Sequence, residues 1–403
     1  MSRPPIDEDY AFDPTDPAQS KDFERLARIR RERPVCRPAE NVVLTTRHDA
    51  TRAAFLEAKR FSSVGDMRAP GVVVPTEESF LGELDAPLHP KIRRILMKGF
   101  TRRGAAEAEP WTRGQVRRRL AAFADAGGGD IMQALAIPLP GSVSAHVLGI
   151  PEDLHDAVMG WCDELLHSTW PATGRTERGE GIEGSFPELS RTLDDLITER
   201  ARSDEHEDLL GLMVRTRDED GWQIGAHHVR TLTVNILAGS LSASYMLGNL
   251  LYRLVNDSAF EATLRKDPNL CVAAVEESLR LEAPVTFLFR TAREDGEIGG
   301  CPVHTGEHIM LGIAAANRDE QTYPDAETFR LDREGPQDHL AFGVGPHVCV
   351  GNHLTRMIGQ VVLEEALAAF APGTLRLAPD YEWLCVPHLQ EYGPETLDLL
   401  VGP

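Results

Sequence analysis

Paired cysteines are missing from this 403-residue chain. Its six cysteines, Cys36, Cys162, Cys271, Cys301, Cys349 and Cys385, stand singly, with no C-x-x-C among them. That argues against a zinc site and against a disulfide framework. Long apolar runs are missing too: no stretch approaches the roughly 18–20 apolar residues of a membrane helix. The first residues, from Met1 to Tyr10, are polar and acidic and hold no signal-peptide core. Together these point to a soluble, cytoplasmic protein with no membrane partner, and the lack of an anchor favours a bacterial source. Positive charge is scarce: 42 Lys and Arg against 63 Asp and Glu give −21. Such a charge argues against nucleic acid as a partner. No internal repeat and no linker divides the chain. Length alone would suggest two or three domains, and the 42% hydrophobic content is enough for a large core.

The scarce positive charge is concentrated. Arg93, Arg94, Lys98, Arg102, Arg103, Arg113, Arg117, Arg118 and Arg119 fall in one stretch, with only Glu107 and Glu109 among them. A basic stripe on an acidic protein suggests one acidic partner surface; a solvated helix face is the competing explanation.

The apolar spacing predicts a mostly helical chain. After a partly irregular segment over 1–40, with a helix at Lys21–Glu32, come a strand at Val42–Thr46 and a helix at His48–Glu57. Phe61–Leu84 has no period and carries several Gly and Pro; a loop of that length is usually functional. Helices follow at Lys91–Phe100, Glu107–Ala126, Asp130–Leu148 (interrupted by Pro138 and Pro140 and stopped at Gly149) and Leu154–Ser168. A glycine-rich, mobile loop is expected over Thr173–Phe186, then helices at Pro187–Arg202 and Glu207–Arg217 and one long helix at His227–Asn256. Beyond Pro284 the pattern shortens to strands at Val285–Arg290, Gly296–Ile298 and His308–Ile313.

The most informative segment is Phe342-Gly343-Val344-Gly345-Pro346-His347-Val348-Cys349-Val350-Gly351. It presents one cysteine in a glycine-built loop just before an apolar, helix-like run. Glycine lets the backbone take φ > 0 and approach a ligand closely. A helix starting near Val350 would aim its free N–H groups and positive dipole end at the sulfur, which favours thiolate over thiol. Such a loop suits a thiolate held against a flat metal macrocycle.

With Phe, Gly, Gly, His, Cys and Gly at these offsets, the segment resembles the haem-binding loop of cytochromes P450, specifically the soluble bacterial ones. The likeness extends from about Val42 to the C-terminus. Glu277-Ser278-Leu279-Arg280 resembles the family's E-x-x-R helix, and Leu88-His89-Pro90-Lys91-Ile92-Arg93 its propionate-binding helix. Asn317-Arg318-Asp319 and Tyr323-Pro324 add to it. The resemblance implies a single domain over 1–403, mainly α with a smaller β region, the haem buried between the central long helix and the Cys-loop helix. It implies haem b with Cys349 as axial iron ligand and with Phe342, Gly343, Gly351 and Ala238 against the cofactor. His89, Arg93, Arg290 and His347 would meet the propionates. Glu277 and Arg280 would form a buried ion pair completed by Arg330, structural and required for haem incorporation. The basic stripe would receive an acidic ferredoxin, which with its reductase relays electrons from NAD(P)H for the reaction with O2.

The central helix departs from the family. Where the family reads Ala-Gly-x-acid-Thr, this chain has Ala238-Gly239-Ser240-Leu241-Ser242. Gly239 keeps the gap for oxygen, Leu241 stands in the acid position and Ser242 in the alcohol position. Leucine carries no proton, while Ser242 keeps a hydroxyl for a water-based relay. Three functions stay open: hydroxylation served by Ser242 and water; oxidative coupling or desaturation that depends less on the relay; and a haem-binding protein without turnover. Replacing Leu241 with Glu is expected to raise oxygenation if relay supply limits the enzyme. By resemblance the substrate pocket draws on Val72, Val73, Val234, Leu237, Thr286, Phe287, Leu288, Gln390 and Tyr392. Such a pocket suits a mid-sized, largely apolar metabolite of secondary metabolism.

Overall fold

The computed structural model describes residues 5–65, 68, 72–169, 173–203, 205 and 207–402. Helices dominate. Those that build the site are α1 (Leu88–Leu96), α2 (Arg102–Asp125), α3 (Pro138–Leu148), α4 (Ala226–Ala238), α5 (Leu241–Asn256), α6 (Leu270–Leu281) and α7 (Asn352–Ala369). Strands β1 (Val35–Ala39), β2 (Val42–Thr45), β3 (Phe61–Ser62), β4 (Leu288–Ala292) and β5 (His308–Leu311) form a sheet in the order β1-β2-β5-β4-β3. Strand β5 runs parallel to β2, with Leu44 opposite Met310, and antiparallel to β4, with Phe289 opposite Met310. A smaller sheet joins Gly128–Asp130 to the C-terminal strand Asp398–Val401. The mainly α architecture with a smaller β region is as expected.

Helix α7 shows how the core is assembled. Its buried residues Leu354, Met357, Ile358, Val361, Val362 and Glu365 recur every three or four positions, one stripe of a helix. Each large apolar side chain buried there contributes about 1.5–3 kcal/mol. At Gly359 a Cβ would lie 2.9 Å from Val275 Cγ2 and 3.0 Å from Met246 Cε, so the absent side chain lets α7 close on α5 and α6. On the other side α7 lies along α2. Arg113 bridges to Glu364 at 2.8 Å and Glu365 at 2.7 Å, and Arg117 reaches Glu365 at 2.7 Å.

Several boundaries differ from the sequence expectation. The single helix expected over His227–Asn256 is two, broken at Gly239-Ser240. There the N–H of Ser240 reaches back only to Leu237 O (3.1 Å), and Ser240 Oγ donates to the same carbonyl at 2.6 Å, a side-chain bond that competes with the helix ladder. The Ala226–Asn256 run is apolar and long enough to cross a membrane, but most of it is buried inside the protein. The stretch expected as one helix from Asp130 opens instead with a strand and a widened turn over Met132–Ala136, closed by Ile137 N–H on Met132 O at 2.8 Å; α3 starts afresh with Pro138, which needs no donor there. It ends at Gly149, as predicted, with φ 78°. The strand expected at Val285–Arg290 begins only at Leu288, because Thr286 is tied by its N–H (2.8 Å) and hydroxyl (2.9 Å) to Gln390 O. Thr173–Phe186 holds a short ribbon, Arg175–Thr176 against Gly179–Glu180, and the helix Gly181–Ser185.

Candidate functional site

The Cys349 segment is a loop pinned by its own backbone. Gly343 (φ 63°) and Gly345 (φ 77°) supply the left-handed conformations it needs. Cys349 N–H donates to Phe342 O at 2.8 Å, and Asn352 Nδ2 donates to Cys349 O at 2.7 Å. The sulfur opens onto a cavity of about 300 Å³. Helix α7 starts at Asn352, and the donor aimed at the sulfur is the Gly351 N–H. Burial pushes the thiol up. The Gly351 N–H, then Arg93 and Arg356, pull it down without overcoming burial. The bare loop therefore does not hold the thiolate by itself; a metal cation on the sulfur does so outright.

One wall of the cavity is basic. His89 and His347 stack with centroids 4.0 Å apart and planes 27° apart. Burial, then Arg93, holds His89 down to about 4; burial, then His89 and Arg290, holds His347 down to about 3. The Nδ1 of His347 is buried with no hydrogen-bond partner among the described residues. Asp85 stands 4.0 Å from His347 Nε2 and is engaged by Ser62, Ser63 N–H and Arg293. His89, Arg93 and His347 line this wall with no acid beside them in the lining among the described residues, which fits a ligand that brings carboxylates. A flat apolar body with two carboxylates and a metal for Cys349 satisfies every one of these features, so the residues present fit haem.

The opposite wall comes from the α4–α5 break: Asn235, Ile236, Gly239, Ser240, Ser242 and Ala243. Ser242 Oγ donates to Gly239 O at 3.4 Å. Asn235 Oδ1 accepts Leu81 N–H at 3.1 Å, which fastens the end of the long 61–84 loop to α4. That loop is also held by the buried bidentate pair Arg68–Glu83, 2.7 and 2.9 Å.

His89, Arg93, Gly239, Ser242, Leu288, Phe342, Gly343, His347, Cys349 and Gly351 all line this cavity. Other expected residues lie outside this lining. Leu241, expected in a catalytic position, is not in the lining and packs against the main apolar cluster. Ala238, Val234 and Leu237 are buried in the core on the other faces of α4, where a helix turn puts residues that are not three or four apart from Gly239. Phe287 is buried in a separate apolar cluster, and Thr286 is spent on Gln390 O. Tyr392 packs edge-on against Phe23. Val73 is 91% exposed, and neither it nor Val72 lines the cavity. Arg290 is buried beside the two histidines without lining the space, its Nη1 on Phe289 O at 2.6 Å.

The ion pair Glu277–Arg280 is buried, with Nε–Oε2 and Nη2–Oε1 both 2.8 Å. Arg330 does not complete it with its side chain. Only the Arg330 N–H reaches Glu277, at 2.8 Å, while its guanidinium turns out to Asp325 and Asp332. The third partner is Arg333, whose Nε donates to both Glu277 oxygens at 2.8 and 3.0 Å. Phe329 packs inward on Phe260, edge to face, and this fixes the chain direction that sends the next side chain outward. The basic stripe is divided as well. Arg113 and Arg117 are tied to α7, Arg103 to Glu107 and Arg118 to Glu152, which leaves Arg94, Lys98 and Arg102 as exposed cations at the α1–α2 corner.

The chain is similar to known proteins in sequence and in fold. The sequence model described as "Cytochrome P450" matches residues 251–376. Cytochrome P450 monooxygenase PikC of Streptomyces venezuelae is 30% identical over 93% of this chain and 88% of its own length. The 6-deoxyerythronolide B hydroxylase of Saccharopolyspora erythraea is 30% identical over 84% of this chain and 86% of its own. Among solved structures, cytochrome P450 CYP109Q5 from Chondromyces apiculatus superposes with a TM-score of 0.85 at 26% identity, covering 97% of this chain and 98% of that one.

Proposed function

The chain belongs to the cytochrome P450 family and is an enzyme of its monooxygenase kind, and from that premise we propose that it hydroxylates a mid-sized, largely apolar metabolite in bacterial secondary metabolism. The observation that carries the proposal is the cavity with the Cys349 sulfur on one wall and Gly239 and Ser242 on the other. Coverage of 93% of the chain by one relative supports a single unit over residues 1–403.

Bound haem b supplies the activation of O2, with electrons that derive from NAD(P)H. The chain's residues do the rest. Cys349 provides a sulfur ligand that donates electron density, and the Gly351 N–H moderates it. His89, Arg93 and His347, with Arg290 beside them, would take the carboxylates of the bound ring. Apolar Leu288, Val285 and Ile236 exclude water and hold an apolar substrate. Asn235, whose Oδ1 is used on Leu81, has its amide Nδ2 left to orient a substrate oxygen. Ser242 Oγ is the hydroxyl that holds and passes a proton on the substrate side. We assign electron delivery to a ferredoxin with its reductase, docking at the Arg94, Lys98 and Arg102 corner, and place the enzyme in the cytoplasm.

A second reading has its own support. No acidic side chain lines the cavity among the described residues. Oxidative coupling or desaturation, which needs less proton delivery, therefore stands as the alternative outcome. Turnover under ¹⁸O-labelled dioxygen, with a surrogate ferredoxin and reductase and a panel of aromatic, cyclodipeptide, polyketide and terpenoid substrates, decides. Label in the product supports hydroxylation. Loss of hydrogens or a coupled mass without label supports the alternative, and no substrate-dependent reductant consumption would leave only haem binding.

A further inference from the structure

Glu276 takes no part in the ion pair beside it. Glu277 turns to Arg280 and Arg333, while Glu276 turns toward the Cys349 segment and is 1% exposed. Its Oε1 accepts Arg356 Nε at 2.5 Å, and its Oε2 accepts Arg356 Nη2 and His339 Nε2, both at 3.1 Å. The Ala341 N–H donates to His339 Nδ1 at 3.3 Å, which assigns the ring proton to Nε2 and makes Glu276 its acceptor.

The two side chains held this way flank one aromatic ring. The Arg356 guanidinium lies over the face of Phe342, 4.6 Å from its centroid, and the His339 ring lies 5.8 Å from it, tilted by 48°. Phe342 lines the cavity, and its carbonyl takes the Cys349 N–H. Arg356 reaches the cysteine by a second route as well. Its Nη1 donates to Asn352 Oδ1 at 3.0 Å, and Asn352 Nδ2 donates to Cys349 O at 2.7 Å.

We propose that Glu276 is a positioning residue for the Cys349 sulfur: through Arg356 and His339 it fixes Phe342 and Asn352, and its charge balances the Arg356 cation, so that it sets how strongly the thiolate donates to the iron. This rests on the haem-thiolate assignment above. The physical basis is the low polarity of the interior, where an unbalanced charge acts over a longer range than in water. A cation freed of Glu276 withdraws electron density from the sulfur and favours the reduced iron. A carboxylate freed of Arg356 does the opposite.

The test is the midpoint potential of the haem-loaded protein in Glu276→Gln, a near-isosteric change, and Arg356→Gln, which removes the cation. A thiolate-type spectrum of the reduced, CO-bound wild type comes first; its absence sinks the haem-thiolate assignment itself, whatever Glu276 does. Given that spectrum, Glu276→Gln is expected to raise the potential and Arg356→Gln to lower it. Each shift should change the ferric-to-ferrous ratio about tenfold, about 59 mV for one electron. A brace that merely keeps the loop in place gives no reversal of sign, so unchanged potentials, or shifts in the same direction, overturn the proposal. If Glu276→Gln takes up no haem, Glu276→Asp and Arg356→Gln carry the test. An unchanged potential in the first with a lowered one in the second supports it, and any other pair overturns it.

Discussion

Arg333, and not Arg330, should be the residue whose loss the fold does not tolerate. The Arg333 side chain is 6% exposed against a Glu277 that is 2% exposed. Its guanidinium makes two bonds to Glu277 and three to the carbonyls of Pro324 (2.6 Å), Asp325 (2.9 Å) and Thr328 (2.7 Å). Breaking one side of a buried pair costs about 3–5 kcal/mol. Glu277 keeps Arg280 and the Arg330 N–H when Arg333 is cut to Ala, which puts that variant near the lower end, about 3 kcal/mol. Glu277→Ala strands two guanidinium groups and belongs near the upper end, about 5 kcal/mol. Arg330→Ala removes a side chain that meets only the exposed Asp325 and Asp332, and it keeps the backbone N–H that Glu277 uses. It should leave stability unchanged. Urea unfolding of the haem-free chain, with haem uptake measured in parallel, gives the ranking Glu277→Ala, Arg333→Ala, Arg330→Ala. Equal losses for Arg330→Ala and Arg333→Ala would refute the reasoning, because the bonds counted here would then not determine the cost.

Three further outcomes are expected. Ser242→Ala should lower product formed per reductant consumed by on the order of 10², the lower range for a lost proton-transfer group. Leu241→Glu should bring no gain and should lower stability, because that side chain packs on the apolar cluster and not in the cavity; product-to-reductant ratios and unfolding midpoints check both. In the haem-free protein, stability should also fall with acid through His89. Burial, then Arg93, holds its pKa at about 4 against 6.5 in the unfolded chain. Between these values the unfolded state binds a proton that the folded state refuses, so stability drops as pH falls from about 6.5 to about 4 and is indifferent to this group above 6.5. His89→Gln should flatten that slope in unfolding measured across pH; an unchanged slope counts against the assignment.

What could be read in advance follows from which physics is local. The Cys349 loop was legible because its chemistry is written in consecutive residues: two glycines at positive φ, one cysteine, then a helix. His89 and Arg93, expected by resemblance alone, both line the cavity one turn apart on α1. Arg333 was not legible, because the choice between it and Arg330 depends on how Phe329 is packed against Phe260, a contact 69 residues distant in sequence. Glu276 was hidden by its neighbour, since two adjacent glutamates on a helix point about 100° apart and only the packing of α7 says what the first one meets.

At the central helix the expected residues and the cavity lining differ. Proceeding from the family's text placed attention on Leu241 and on Val234, Leu237 and Ala238, yet the cavity is lined by Asn235, Ile236, Gly239, Ser240 and Ser242. Helix periodicity alone contains the correction: counting back three and four residues from Gly239 gives Ile236 and Asn235. What periodicity does not contain is the break at Gly239-Ser240, where the Ser240 hydroxyl competes for the Leu237 carbonyl and the second helix starts again at Leu241. With α5 starting there, Ser242 keeps its place in the lining while Leu241 packs on the core. The substitution of leucine for an acid is therefore less a lesion in a relay than a residue fitted to an apolar neighbourhood. Under the hydroxylation reading, protons would reach the cavity by hydroxyls and water, since no acidic side chain lines it among the described residues.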